Sequence, residues 1–87
     1  MTTDVDIETR IRKILTGQFG VALPINRGAV IMDAIPAWDS MAQVQIVVAI
    51  EAGFNIEADA ALLQAQSLVA LVEIVRLRLQ TQAVTSA

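Results

Sequence analysis

IPAWDSMAQVQIVVAIEAGF, residues 35–54, is the stretch on which the reading turns. Its centre, residues 44–50, is rich in β-branched side chains and on propensity alone fits a buried strand. Length argues the other way. No turn residue interrupts the segment between Asp39 and Gly53, and strands are usually shorter than that. Asp39 is a good N-cap and Gly53 a good residue just past a helix end, so the spacing predicts a helix over about 39–52.

Outward from this stretch the pattern is helical. Ile7, Ile11, Ile14, Leu15 and Phe19 recur at helical spacing, which predicts a first helix over 4–18. Thr3 and Asp6 have the spacing of a capping box, and Gly20 is a natural stop. Residues 21–38 form a long connection holding Pro24, Gly28 and Pro36. It is too apolar to stand in water: Val21, Leu23, Ile25, Val30, Ile31, Met32 and Ile35 are expected to find cover for the most part, with a short helical turn near Val30. A short third helix is expected over 59–63. Ser67 is expected to cap a last helix to about Gln80, with Leu68, Leu71, Val72, Val75 and Leu79 inward and Arg76 and Arg78 near its end. Three long helices, one short one and a long first loop predict an all-α fold, a small antiparallel four-helix bundle in one domain over 1–87. It is expected to be ordered over about 4–80, with residues 81–87 as a frayed tail.

Composition narrows the chemistry. The 87 residues include no Cys and no His, so disulfides, a thiol nucleophile and the usual neutral-pH base are all missing. The expectation is a non-enzyme with no metal site of its own. The net charge is −3, and all six bases (Arg10, Arg12, Lys13, Arg27, Arg76, Arg78) lie outside residues 28–75, which hold Asp33, Asp39, Glu51, Glu57, Asp59 and Glu73. No clustered basic face is offered to nucleic acid. No apolar run reaches membrane-spanning length and the acidic start does not read as a signal peptide, so the expected setting is cytoplasmic.

Ser40 follows the Asp39 cap. Its hydroxyl is expected beside the unpaired N–H groups of a helix start, at the positive end of the dipole, where a phosphate ester is stabilised. An Asp–Ser pair before an apolar run is also what an ordinary helix start looks like.

The wider pattern resembles the acyl carrier proteins. Their attachment motif is Asp-Ser-Leu, and WDSM, residues 38–41, is a close match with Met41 for Leu. IETRIRKILTGQFGV is similar to the family's first helix, DSMAQVQIVVAIEAGFNIE to its second helix and following turn, and SLVALVEIVRLRL to its last helix. The resemblance covers about residues 6–79. It implies that a phosphopantetheinyl transferase, using Mg2+ that this chain does not hold, moves 4′-phosphopantetheine from coenzyme A onto Ser40. It implies acyl-loading and acyl-transfer enzymes as partners, met by Asp39, Met41, Val44, Val48 and Glu51. An acyl chain is expected to fold back between the second and third helices against Ile46, Ile50, Ala61 and Leu62. The chain departs from fatty-acid members in three ways. Ala42, Gln43 and Gln45 stand where acids are expected on the partner-facing side. Pro36-Ala37-Trp38 replaces a glycine-containing turn, a form more like free-standing carriers of specialised pathways. The segment between Phe54 and Leu68 is one residue shorter.

Several readings stay open at this point. Met41, Val44 and Val48 make one helical stripe that competes with Ile46, Val47, Ala49, Ile50 and Phe54 for the inside. Trp38 is a core or loop anchor, or a contact beside the arm. Glu51 is a solvated charge or a partner contact. The cargo is fatty acyl, polyketide, aminoacyl, D-alanyl or peptidyl. A plain helical adaptor without modification is the rival function. A monomer is expected.

Overall fold

The computed structural model describes residues 3–85, and all four α-helices lie within them. They are α1 (Asp4–Phe19), α2 (Ser40–Phe54), α3 (Ala60–Gln64) and α4 (Leu68–Thr85), with 3-10 turns at Arg27–Ala29 and Met32–Ala34 in the first connection. Among the described residues there is no strand, only an isolated antiparallel bridge between Ile31 and Ser67. No helix among them is long and apolar enough to cross a membrane.

Each helix starts where a side chain can take up an orphan N–H group. Thr3 and Asp6 form a reciprocal capping box at α1. Asp39 accepts from the Ala42 N–H at 2.8 Å, Asp59 from Leu62 at 3.1 Å and Ser67 from Ala70 at 3.1 Å. At its far end α1 closes on Gly20, which takes the left-handed conformation at φ 72°.

The end of α2 differs from expectation. Gly53 lies inside the helix and Asn55, at φ 55°, is the left-handed cap. Asn tolerates this conformation better than other side-chain-bearing residues. The Asn55 and Ile56 N–H groups both donate to the Glu51 carbonyl, and the Glu51 carboxylate accepts from the Ala58 N–H at 3.0 Å. Glu51 therefore shapes the α2–α3 turn, a role the sequence reading did not consider.

The end of α4 differs as well. The helix passes Gln80 and continues to Thr85, so residues 81–85 of the expected tail are helical and 86–87 lie outside the described residues. Arg76 and Arg78 are thus well short of its end. Arg76 pairs with Glu73 and reaches Asp4 at 3.9 Å, while Arg78 pairs with Asp59. The Glu73 hydrogen bond and charge hold the Arg76 guanidinium above its ordinary pKa.

The core joins Ile7, Ile11 and Leu15 of α1, Ile46, Val47, Ile50 and Phe54 of α2, Leu62 of α3, and Leu68, Leu71, Val72 and Val75 of α4. The first connection contributes Val30, Ile35 and Trp38, and is stitched to the α3–α4 linker by Met32 N–H to Gln66 O and Leu68 N–H to Val30 O, both 2.9 Å. Its cover is incomplete, however. Val21 and Ile31 are exposed, and Ile25 is 97% exposed. The cause is polar: Arg12 donates to the Pro24 and Ile25 carbonyls at 2.8 and 3.0 Å, and Glu8 pairs with both Arg12 and Arg27. These bonds hold the loop by its backbone, and the Ile25 side chain is left outside.

Two substitutions separate the glycine roles. A Cβ on Gly53 meets only Ile14 Cδ1, at an ordinary 3.9 Å. Gly53→Ala is therefore expected to stabilise the fold by about 0.5–1 kcal/mol, as Ala does within a helix. Gly20→Ala is expected to destabilise it by about 1 kcal/mol, since its φ is left-handed. Urea unfolding of both variants reads the two signs, and a destabilised Gly53→Ala would restore Gly53 as the helix terminator.

Candidate functional site

The site is built from the last turn of the first connection, the first two turns of α2 and the end of α3. Ser40 is the first residue of α2 and is exposed. Asp39 precedes it with extended backbone, and its carboxylate is used as the cap on Ala42. Among the described residues no cluster of three acids offers a metal site.

Beneath Ser40 the chain turns inward. Gln43, one helical turn on, is 4% exposed and Trp38 is 2% exposed. The Trp38 indole N–H donates to Gln43 Oε1 at 2.6 Å. Gln43 Nε2 donates to the carbonyls of Leu62 at 3.0 Å and Ala65 at 2.7 Å. Those carbonyls belong to the end of α3, where that of Leu62 also accepts from the Ala65 N–H at 3.2 Å. One side-chain amide thus ties the connection, α2 and α3 together with its hydrogen-bonding capacity used on both ends. Trp38 also packs on Phe19 of α1, with ring centroids 5.5 Å apart. It is a core anchor.

This corrects the reading of the partner-facing side. Ala42 and Gln43 are buried, so they do not stand on an outer face, and of the three positions only Gln45 is exposed. The physical reason is the cap. With Asp39 as N-cap, the inward face runs through Ala42, Gln43, Ile46, Val47 and Ile50 at helical spacing. Met41, Val44 and Val48 fall on the opposite side, at 72%, 52% and 58% exposure. Glu51 is also exposed.

The four residues expected against an acyl chain are not equivalent. Ile46, Ile50 and Leu62 are wholly buried in the core. Ala61 is exposed and lines a shallow depression of about 230 Å3 with Ile74, Leu77, Arg78 and Thr81, between α3 and α4. Ala61 thus lies apart from the other three in this structure, because adjacent residues on a helix point to different sides.

Gln43 is the residue that reading the sequence missed as a structural element. Its signal was partial: an amide in an otherwise apolar run that also holds Gln45, with the only tryptophan five residues before it. Comparison with protein-family models, curated proteins and solved structures finds no match for the chain.

Replacing Gln43 by Leu keeps the bulk and leaves a buried indole N–H and the end of α3 without that partner. Each unsatisfied group costs on the order of 1–3 kcal/mol, so a loss of about 3 kcal/mol is expected. Thermal unfolding followed by the fluorescence of Trp38 measures it. A change within about 0.5 kcal/mol would show that the amide contributes little.

Proposed function

We propose that this chain is a carrier protein of the acyl carrier type, an antiparallel four-helix bundle that bears 4′-phosphopantetheine on Ser40. The observation that supports it most directly is an exposed serine hydroxyl in the first turn of α2, behind an Asp cap. The residues present fit the group. An ester phosphate at this place meets backbone N–H groups of the first turn and the positive end of a 15-residue helix dipole. In attachment, the Ser40 oxygen bonds to phosphorus as the diphosphate P–O bond of coenzyme A breaks. Adenosine bisphosphate leaves and the hydroxyl proton is lost. When bound, the group supplies a thiol that holds an acyl group as a thioester, chemistry that no side chain of a cysteine-free protein provides.

What the chain does is present and position. Asp39 fixes where α2 begins, and Gln43 and Trp38 fix that first turn against α3 and the core. The exposed Met41, Val44 and Val48 are the surface we assign to the transferase and to the acyl-loading and acyl-transfer enzymes. Residues 40–50 carry no charge, so this contact rests on apolar burial more than on ion pairing. The pathway is fatty-acid, polyketide or a related specialised biosynthesis, or aminoacyl transfer, in a cytoplasmic setting. The same apolar stripe also favours a second reading, a helical adaptor that docks a partner and is never modified.

Mass spectrometry distinguishes the two. Incubation with coenzyme A, Mg2+ and a broad-specificity transferase is expected to add one phosphopantetheine to the native chain and none to Ser40→Ala. An unmodified native chain, with a known carrier modified in parallel, would leave the adaptor.

A further inference from the structure

We infer that Gln43 is a latch that keeps an apolar chain attached at Ser40 out of the space between α2 and α3, so that cargo is carried on the outside of the fold. The biological meaning rests on the carrier reading; the physical claim concerns this chain alone. Ser40, Gln43, then Ile46 and Val47, then Ile50 succeed one another along α2 at helical spacing. A chain anchored at Ser40 and running inward between α2 and α3 therefore reaches Gln43 before it reaches Ile46 and Ile50. At that level the gap is spanned. The Gln43 amide is bonded across to Leu62 and Ala65 of the α3 end, and on its other side to the Trp38 indole.

Entry requires these bonds to break. A methylene chain offers neither donor nor acceptor in their place, so the indole N–H and the two carbonyls lose a buried partner. The floor beyond is closed by Ile46, Ile50 and Leu62, each with no solvent exposure, and interiors packed to this degree yield only by rearrangement. The latch thus selects the class of cargo. Short or polar acyl groups, which gain little from burial, lose nothing by remaining outside. Long alkyl chains lose the shelter they need.

The test needs no transferase. The chain has no cysteine, so Ser40→Cys supplies a single thiol, to be alkylated with N-octylmaleimide or N-ethylmaleimide. Methyl resonances of Ile46, Ile50 and Leu62 and the indole proton of Trp38, the one tryptophan, are then compared. With Gln43 in place, octyl and ethyl adducts are expected to give the same positions for all four residues. With Gln43→Ala added, or Gln43→Met if the alanine variant does not fold, the octyl adduct alone is expected to move Ile46, Ile50 and Leu62. Movement with Gln43 in place overturns the latch. So does a folded Gln43 variant whose core resonances ignore the octyl chain. Failure of the transferase to modify Ser40 bears on the carrier reading and leaves this result standing.

Discussion

The fold turns on one side-chain amide. α3 is only five residues long, far too short to hold itself together in water. Its geometry is imposed from outside. Gln43 of α2 takes the carbonyls at its end, and Asp59 takes an N–H at its start while paired to Arg78 of α4. Because Gln43 is also held by Trp38, the place of α3 is set by the same residue that sets where the first connection meets α2. A buried polar network of this kind is costly if any member is missing and orders the structure when all are present. Among the described residues no buried side-chain polar atom is left without a partner.

Much of this was readable in the chain, and the reason is local. Thr3, Asp39, Asp59 and Ser67 are caps whose chemistry acts within a few residues, so each helix start could be placed from its own neighbourhood. The stripes Ile7–Ile11–Leu15 and Leu68–Leu71–Val72–Val75 are periodic enough to show their buried side. α2 was harder. It is apolar almost all round, so Met41, Val44 and Val48 competed with Ile46, Val47 and Ile50, and only the packing of α1 and α3 against one side decides between them. The Ser40 position followed from its cap. The residues around it did not, because Gln43 owes its role to carbonyls 19 and 22 positions away.

The misses have the same origin. Gly53 looked like a stop, yet Asn55 takes the left-handed turn, and the Gly53 carbonyl instead receives the Arg10 guanidinium, which also lies 4.1 Å over the Phe54 ring. Ile25 looked like a residue in need of cover, yet the backbone of Pro24 and Ile25 is held by Arg12, twelve and thirteen residues earlier in the chain. Hydrophobic pattern alone carries no information about bonds of that reach, and they overrode it in both places.

Among the described residues the most extensive helix contact is between α1 and α4, which lie far apart along the chain. Vectorial synthesis meets this arrangement in an awkward order. Ile7, Ile11 and Leu15 are made well before Leu68, Leu71 and Val75, which share their core. Until α4 is made, α1 has α2 to pack against but lacks the larger of these two helix partners. A fragment that ends before residue 68 therefore exposes part of that stripe rather than forming a smaller folded protein.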